Sequence, residues 1–327
     1  MNILVAGGSG FVGSNMLEFL VNKENINITT TFFNTLPKVK NKKIKVVKAN
    51  LESFKTCNHI TKNIDIVFMF AGHVFSHASL KKVLDNNKEN QNLNISINMI
   101  KSSINNKVKK FVWLSSFTGY PNLERIMSEN QFFDGDPPLN YFIPGQQARF
   151  IEKILFFFSK LKHSTEILVV RPSEIFGKYD NFELNTCHAF PAYIVRLNEA
   201  LKNGKNFVNS VGNISNIKNY IFCSDLVKII FRLTKKNKKK NFNAYNISSS
   251  HNYSLKQIFN ILLKFKRFEG IQILIGKTKK NKKIKRLISN SKVKKEIKFL
   301  NETKFETCVK KTLDWYLNSK YASKKKR

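Results

Sequence analysis

The sequence predicts an α/β fold in which a doubly wound parallel sheet is followed by a smaller C-terminal lobe. Three observations lead to this expectation. An apolar strand at the N-terminus runs into a glycine-rich turn and then a helix. Strand and helix patterns then alternate up to Phe176, which favours parallel strands joined by right-handed crossovers. Beyond Phe176 the pattern becomes irregular, as expected for a lobe built on the sheet.

The predicted strands are short runs rich in β-branched and aromatic residues. They cover Met1–Ala6, Ile26–Phe33, Lys43–Val47, Asp65–Ala71, Lys110–Ser115 and Ile167–Pro172. The segments between them have helical patterns: a short crossover after Asn50, a long amphipathic helix over Asn92–Asn106 and a further helix over Ala148–Lys162. Each strand is thus followed by a segment that can return the chain to the same edge of the sheet.

The turn after the first strand carries Gly7, Gly10 and Gly13 in the spacing G-x-x-G-x-x-G. In this motif the first glycine permits the tight turn, the second lets the backbone approach a pyrophosphate, and the third lets the helix pack closely on the strand. The phosphates face the N-terminus of the helix, where Phe11 and Val12 lie. Because the motif stands between a strand and a helix, it predicts a Rossmann-type dinucleotide site.

The end of the second strand indicates which dinucleotide binds. An NAD site usually places Asp or Glu there to bind the ribose hydroxyls, whereas an NADP site lacks the acid and offers a cation. Here the strand ends in Phe33-Asn34 without an acid, and Lys38 follows. The sequence therefore favours NADP(H), with NAD(H) as the alternative.

These patterns divide the chain into three parts. Residues 1–176 are expected to form the NAD(P)-binding Rossmann domain. Residues 177–321 are expected to form mainly a substrate lobe, with some strands and helices returning to the Rossmann domain, and residues 322–327 are a basic tail. Within the lobe we predict helices over Pro191–Asn203 and Ser224–Leu233 and a strand at Tyr220–Phe222.

The formal charge of +35 comes from 57 Lys and Arg against 22 Asp and Glu, but only eight of the basic residues are Arg. Lysine runs at 235–240, 277–283 and 324–327 are typical of solvated loops, so nucleic-acid binding is not expected, although the positive field attracts anionic substrates. No apolar run approaches the ~18 residues that span a bilayer. The four scattered cysteines lack metal-ligand spacing. We therefore expect a cytoplasmic protein without a metal or a membrane anchor.

Further motifs follow in order along the chain as far as Asp225. They are Ala71, Asn92 and Asn98, Leu114-Ser115-Ser116 with Tyr120-Pro121, Arg171-Pro172 with Phe176-Gly177, Asp180-Asn181-Phe182, Cys187-His188-Ala189-Phe190-Pro191-Ala192 with Arg196, and Tyr220-Ile221-Phe222 with Asp225. Together with the glycine turn they resemble the extended short-chain dehydrogenase/reductase family (NAD-dependent epimerase/dehydratase), and within it the GDP-L-fucose synthase-like nucleotide-sugar reductases. The Asp-Asn-Phe and His-x-x-Pro-Ala motifs are typical of the GDP-sugar branch.

This resemblance implies a nucleotide-diphosphate sugar as substrate and a homodimer formed through the helices at Asn92–Asn106 and Ala148–Lys162. It also extends the cofactor site beyond the glycine turn. The further cofactor-binding positions are Asn34, Asn50, Leu51, Ala71, Gly72, Asn92 and Pro172. In the substrate lobe it assigns Asn181 to sugar binding and Arg196 and Lys218 to the pyrophosphate.

The family's catalytic positions can be followed one by one. Ser116 matches the residue that hydrogen-bonds the sugar C4 oxygen, although a serine at a strand end is also a common cap. His188 matches the general acid of epimerisation and also lies among the substrate-binding positions. Thr118 stands where the epimerases have an acid/base cysteine and is also among the substrate-binding positions, but its hydroxyl does not ionise near neutral pH.

The chain departs from the family at the Tyr-x-x-x-Lys pair, in which the lysine ammonium lowers the pKa of the phenol for proton exchange with the C4 oxygen. The tyrosine position falls on Gly145 and the lysine position on Arg149. Registers that begin at Tyr141 or Phe142 do not restore the pair. Arg149 keeps a positive charge for the nicotinamide ribose, and Tyr141 is the nearest phenol.

These observations predict an NAD(P)-dependent nucleotide-sugar 4-keto reductase or epimerase, with a GDP-sugar favoured, in the synthesis of surface-polysaccharide sugars. Ser116 polarises the C4 carbonyl in this scheme, and Tyr141 or a water held by Arg149 supplies the proton. The alternative is a catalytically impaired homologue that binds dinucleotide and nucleotide sugar as a scaffold or regulator. The intact glycine turn agrees with both hypotheses.

Overall fold

The computed structural model describes residues 1–73, 88–210, 213–236, 241–274, 285–298 and 302–323. The strands in these ranges are β1 (Asn2–Ala6), β2 (Asn27–Phe32), β3 (Ile44–Lys48), β4 (Ile66–Met69), β5 (Lys110–Leu114), β6 (Glu166–Pro172), β7 (Glu174–Phe176), β8 (Phe207–Asn209), β9 (Ile217–Phe222), β10 (Phe242–Ile247), β11 (Asn252–Ser254), β12 (Gln272–Leu274) and β13 (Lys285–Arg286). The lysine run at 277–283 and the end of the basic tail at 324–327 lie outside the described residues.

The central sheet contains seven parallel strands in the order β10-β6-β5-β4-β1-β2-β3. From β1 the chain first moves outward through β2 and β3, then crosses to β4 on the other side and continues through β5 and β6. The strand order therefore reverses beside β1, which is the switch point where ligands bind in sheets of this kind. The predicted doubly wound α/β fold is confirmed.

The helices also agree with the predicted alternation. They are α1 (Phe11–Leu20), α2 (Phe54–Ile60), α3 (Lys88–Asn105), α4 (Phe142–Phe158), α5 (Ala189–Lys202), α6 (Cys223–Thr234), α7 (Leu255–Leu263), α8 (Ser291–Ile297), α9 (Phe305–Leu317) and α10 (Lys320–Ser323). The start of α4 differs, because the helix begins at Phe142 and not at Ala148. Pro144 lies in its first turn, where the missing N–H has no intrahelical partner to lose.

The seventh strand, β10, returns from the C-terminal part of the chain and pairs with β6. The sequence analysis assigned no strand there, because asparagines interrupt its apolar residues. One of them, Asn246, is fully buried and accepts a hydrogen bond from the Tyr120 hydroxyl at 2.6 Å. A polar residue thus occupies a core position that the hydrophobic pattern alone would not identify.

A second, smaller sheet is centred on β9, which pairs with β7 and β13 in parallel and with β11 in antiparallel orientation. In this sheet Arg286 lies opposite Lys218, and Glu174 lies opposite Tyr220. A separate aromatic core supports the lobe and includes Phe176, Phe190 and Phe222. The second sheet therefore brings charged residues from three distant segments to one place.

Helices packed on the two faces of the central sheet enclose two further apolar clusters. One contains residues of α1 and α6, and the other contains residues of α2, α3 and α4. None of the helices in the described ranges combines the length and apolarity needed to cross a membrane.

A buried ion pair joins α4 to the central sheet and generates a stability prediction. The Arg171 Nη2 and Glu152 Oε2 atoms are 2.6 Å apart, and both side chains are at most 3% exposed. We expect Arg171→Met to lower the free energy of unfolding by about 3–5 kcal/mol, because it leaves a buried carboxylate without its partner. Urea denaturation measures this loss.

The exposed pair of Lys310 and Asp314 on α9 provides the control. Because its side chains are more than half exposed, Lys310→Met should change the free energy of unfolding by at most about 1 kcal/mol. Equal, small losses in Arg171→Met and Lys310→Met would contradict a structural role for the buried pair.

Candidate active site

The glycine turn lies at the carboxyl edge of β1, where its backbone packs closely on neighbouring backbone. Gly7 has φ +89°, and a Cβ there would lie 2.6 Å from the Ala71 nitrogen. A Cβ on Gly13 would lie 2.1 Å from the Gly7 oxygen. The packing of the turn therefore requires glycine at both positions. The sequence analysis expected this of Gly7 for the tight turn and of Gly13 for the contact between helix and strand.

Gly10 differs from its neighbours because little of the protein contacts it. A Cβ there would meet only the Gly7 oxygen, at 3.3 Å. Gly10 caps α1, and the first turn of that helix contains no acidic residue that would neutralise its positive end. The N–H groups that follow, at Phe11 and Val12, belong to this free end. This arrangement fits a phosphate group.

The other predicted cofactor positions follow the ends of parallel strands and so lie along one edge of the sheet. Asn34 comes after β2, Asn50 and Leu51 after β3, and Ala71 and Gly72 after β4. Asn34 and Asn50 are exposed, and the Asn50 Oδ1 accepts a hydrogen bond from the Glu52 N–H. Leu51 is buried in the core. Contact with a dinucleotide at these positions stays a prediction.

Asn92, on α3, supports this edge from behind. Its Oδ1 accepts from the His73 N–H at 2.7 Å, and its Nδ2 donates to the His73 carbonyl and to the Gln147 Oε1. It therefore holds the segment after β4 against α4. Pro172 is also buried, at the end of β6 opposite Ile247. Asn92 and Pro172 are thus both buried at this edge of the sheet and are not exposed on its surface.

Lys38, which the sequence analysis placed near the cofactor ribose, contacts another loop. Its Nζ donates to the Tyr179 carbonyl at 3.1 Å. The contact links the segment after β2 with the segment after β7. Any role of Lys38 in binding a ribose phosphate would therefore require it to exchange this hydrogen bond.

Ser116 follows β5 and caps the short 3-10 turn Phe117–Gly119. Its Oγ accepts hydrogen bonds from the Thr118 N–H at 3.2 Å and from the Thr118 hydroxyl at 2.9 Å. The capping interpretation of Ser116 is therefore correct. Capping uses the lone pairs of the oxygen, so it leaves the proton of the hydroxyl for another acceptor.

Two arginines hold the carbonyls of this Ser116–Tyr120 loop. The Arg286 Nη2 donates to the Thr118 and Tyr120 carbonyls at 3.1 and 2.7 Å, and more weakly to that of Phe117. From the other side, the Arg149 Nε donates to the Gly119 carbonyl at 2.7 Å. The backbone of the loop is thus fixed by cations from α4 and β13.

Both guanidinium groups are buried. Burial lowers the pKa of Arg149, and it lowers the pKa of Arg286 to about 10. The Arg286 Nε and Nη1 and the Arg149 Nη2 have no hydrogen-bond partner in the described part of the chain. Both arginines still carry their charge at neutral pH, so the loop lies in a positive environment.

The sequence analysis assigned the position of the family's catalytic tyrosine to Gly145, and the structure leaves no room at Gly145 for a side chain. A Cβ on Gly145 would lie 2.7 Å from the Thr118 carbonyl oxygen and 2.9 Å from two atoms of Pro137. A tyrosine could be placed there only if the Ser116–Tyr120 loop or Pro137 moved. The missing phenol is therefore accompanied by closer packing of the loop on α4.

Tyr141 lies just before α4, beside the same loop. Its ring centroid is 4.6 Å from the Arg286 guanidinium carbon and 6.0 Å from the ring of Phe117. An aromatic ring attracts a cation that lies over its face, so Arg286 helps to hold the ring of Tyr141 in place. Tyr141 is therefore packed next to the Ser116–Tyr120 loop and is not an isolated surface residue.

The lobe presents a partly buried ion pair between Lys218 and Glu174. Burial alone would raise the pKa of the Glu174 carboxyl, but Lys218, with His188 and Arg286 nearby, lowers it below its usual value. His188 is exposed at the N-terminus of α5. Lys218, His188 and Arg286 thus surround one carboxylate.

The remaining predicted substrate residues lie near this cluster along the chain. The Asn181 Nδ2 donates to the Thr186 hydroxyl at 2.8 Å. Arg196, on α5, is partly exposed and close enough to Cys187 to influence its thiol electrostatically. The roles of Asn181, His188, Arg196 and Lys218 toward a substrate stay predictions.

Sequence reasoning missed Glu174 and Arg286. The sequence did carry a signal for Arg286, since arginine is rare in a chain whose basic residues are overwhelmingly lysine. An arginine retained against that bias indicates a site that needs a planar, multidentate donor. Glu174 gave no such signal, because its partner Lys218 is 44 residues away along the chain.

Comparison with known proteins shows which family and which solved structures the chain is similar to. The model of the NAD dependent epimerase/dehydratase family matches residues 3–248. GDP-L-colitose synthase of Yersinia pseudotuberculosis is 24% identical over 333 residues, covering 98% of this chain and 99% of that protein.

Two solved structures have closely similar folds. The GDP-L-fucose synthetase from Naegleria fowleri bound to NADP superimposes with a TM-score of 0.79 at 20% identity, covering 97% of this chain and 94% of the other. The UDP-glucose 4-epimerase from Bifidobacterium longum in complex with NAD+ and UDP gives a TM-score of 0.79 at 20% identity, covering 98% and 100%. Dinucleotides of both kinds are thus bound by proteins of this fold.

The glycine turn generates a prediction that separates binding from folding. Gly10→Ala should weaken dinucleotide binding at least about tenfold, because the added methyl group enters the space before the helix N-terminus. Its free energy of unfolding should change by no more than about 1 kcal/mol, since Gly10 has an extended backbone and one tight contact. Fluorescence titration and urea denaturation measure the two effects.

Gly13→Ala is the matched control. Its methyl group would overlap the Gly7 oxygen, so we expect a loss of about 1–3 kcal/mol in the free energy of unfolding. Unchanged dinucleotide affinity in Gly10→Ala would show that the phosphates do not lie at this turn.

Proposed function

The chain belongs to the NAD dependent epimerase/dehydratase family, and from that premise we propose that it is an NAD(P)-dependent 4-keto reductase or epimerase of a nucleotide-diphosphate sugar. The observation that carries this proposal is the position of Ser116 and Tyr141. Ser116 follows β5 at the carboxyl edge of the sheet that also carries the glycine turn, and Tyr141 packs against the neighbouring Phe117, with ring centroids 6.0 Å apart. A sugar placed there would lie between the dinucleotide site and the cations of the lobe.

The residues present fit a dinucleotide. Gly10, Phe11 and Val12 offer an open helix N-terminus to its pyrophosphate, and the segment after β2 offers no acid to its ribose. NADP(H) is favoured on that ground, with NAD(H) as the alternative. When bound, the nicotinamide supplies the hydride for carbonyl reduction.

The protein's own residues would then act on the sugar. Ser116 donates a hydrogen bond from its hydroxyl to the C4 oxygen, keeps its proton, and stabilises the negative charge that develops there. Tyr141, held over Arg286, supplies the proton that the reduced oxygen takes up. Arg196 and Lys218 bind the pyrophosphate of the substrate, and His188 at the start of α5 serves as the acid if epimerisation takes place.

We favour a GDP-sugar and a place in the synthesis of surface-polysaccharide sugars. The support is the Asp180-Asn181-Phe182 and His188-x-x-Pro191-Ala192 motifs, together with the relationship to a GDP-L-colitose synthase. The positive charge of the chain attracts such an anionic substrate.

A second candidate function is favoured by the packing around Gly145. Because the tyrosine position is closed by Thr118 and Pro137, the chain can bind both ligands and yet transfer a proton poorly. In that case it acts as a scaffold or regulator that responds to dinucleotide and nucleotide sugar. This candidate shares the binding residues of the first and differs only in turnover.

We also propose that the chain forms a homodimer through α3 and α4. Phe150 and Phe157 are two helical turns apart on α4 and are 53% and 61% exposed, respectively. Pairing with a second copy would remove these rings from water. Analytical ultracentrifugation distinguishes such a dimer from the 37.9 kDa monomer.

The first prediction from this proposal concerns the choice of cofactor. The purified protein should bind NADPH more tightly than NADH, because no carboxylate follows β2 to repel the ribose phosphate. Asn34→Asp should reverse the preference by placing a carboxylate there. Fluorescence titration with both cofactors measures the ratio, and tighter binding of NADH by the wild type would contradict the assignment.

The second prediction tests the reaction itself. NADPH oxidation is measured with GDP-4-keto-6-deoxy-mannose and its UDP and dTDP counterparts. Tyr141→Phe should lower turnover by about 10²–10⁴-fold, the usual contribution of general acid catalysis. Tyr253→Phe is the matched control, because its ring stacks on Phe305 in the lobe, with centroids 3.8 Å apart.

The outcomes separate the two candidates. Turnover that depends on Tyr141 and is unaffected in Tyr253→Phe supports the reductase. Tight binding of NADPH and sugar without any turnover establishes the scaffold in its place. Turnover that is equal in wild type and Tyr141→Phe would show that another group supplies the proton.

A further inference from the structure

Thr118 contacts the Ser116 Oγ, and this contact has no role in the reaction proposed above. A serine hydroxyl has one proton to donate and two lone pairs that accept. Both lone pairs of the Ser116 Oγ are engaged by Thr118, one by its N–H and the other by its hydroxyl. Within the described part of the chain, the Ser116 hydroxyl makes no further hydrogen bond, so its proton is available to a ligand.

The geometry of this pair is fixed by its surroundings. Arg286 binds the carbonyl of Thr118 itself, and Arg149 binds the carbonyl of the next residue, Gly119. Thr118 also packs against α4, where Gly145 allows its carbonyl to approach. Because these contacts hold the backbone of Thr118, its N–H and hydroxyl remain directed at Ser116.

We propose that Thr118 is a specificity-determining residue: by filling both lone pairs of Ser116, it makes the serine a donor only, so that the site selects a sugar with a C4 carbonyl over one with a C4 hydroxyl. A carbonyl oxygen only accepts hydrogen bonds and so matches a pure donor. A C4 hydroxyl must place its own proton as well, and Ser116 has no lone pair left to receive it. This inference rests on the proposed function.

The same contact acts on the chemical step. A hydrogen bond donated to the Ser116 oxygen polarises its O–H bond, so the serine becomes a stronger donor to the C4 oxygen as negative charge develops there. Thr118 thus acts through Ser116 and need not touch the sugar. It is a positioning residue, in contrast to the acid/base cysteine that the family's epimerases have at this place.

The test is a comparison of two ligands that differ only at C4. Isothermal titration calorimetry on the full chain without added cofactor measures the affinity for GDP-4-keto-6-deoxy-mannose and for its C4-hydroxyl counterpart, GDP-6-deoxy-mannose. Five proteins are compared: wild type, Thr118→Val, Thr118→Ser, Ser116→Ala and the double variant that combines Thr118→Val with Ser116→Ala. GDP alone, which lacks the sugar, serves as the control ligand for general damage to the site.

We expect the wild type to bind the 4-keto sugar more tightly. Thr118→Val should reduce this preference about threefold to tenfold, the effect of one hydrogen bond, mainly because the C4-hydroxyl sugar binds better once Ser116 can accept. Thr118→Ser should restore the preference, since it keeps the hydroxyl. Adding Thr118→Val to Ser116→Ala should change nothing further, and GDP should bind equally to all variants.

An unchanged preference in Thr118→Val, with both sugars still bound, would overturn the role of Thr118 and leave the proposed function intact. Equal weakening of GDP and both sugars in Thr118→Val would also overturn it, since the residue would then merely maintain the fold of the site. If the wild type binds neither sugar, the inference is overturned together with the choice of a GDP-sugar in the proposed function.

Discussion

The candidate site depends on two buried guanidinium groups that bind the carbonyls of one short loop. Arg286 comes from β13 in the lobe and Arg149 from α4, and between them they contact the carbonyls of Phe117 to Tyr120. The arginines therefore hold the backbone of the loop in which Thr118 contacts Ser116, the residue that we propose as the donor to the sugar.

This arrangement also involves Gly145 and Arg149, the residues to which the sequence analysis assigned the positions of the family's tyrosine and lysine. At Gly145 the loop packs so closely that a Cβ would overlap the Thr118 carbonyl, while Arg149, at the lysine position, binds the loop. Arg149 therefore keeps a positive charge at this position and uses it to bind the Gly119 carbonyl. Tyr141, from the segment before α4, lies over the second arginine instead. Tyr141 and the two arginines thus lie around the same loop.

The fold followed from local sequence signals, but the centre of the site did not. The glycine turn and the β-branched strands are specified within a few residues, so the sheet was predictable. The assignment of Gly145 and Arg149 as departures from the family stays a prediction. Strand β10 was missed because its core contains Asn246. The contact of Arg286 with Tyr120 joins residues 166 positions apart and depends on the pairing of β13 with β9, which no local pattern encodes.

A crystal structure with NADPH and GDP-6-deoxy-mannose bound tests the central claim most directly, since the C4 hydroxyl prevents reduction. We predict that the dinucleotide pyrophosphate lies at Gly10 and that the Ser116 Oγ and the Tyr141 hydroxyl both lie within about 3.2 Å of the sugar C4 oxygen. Arg286 should still bind the loop carbonyls. A sugar whose C4 oxygen contacts neither residue, or a dinucleotide bound elsewhere, would contradict the account.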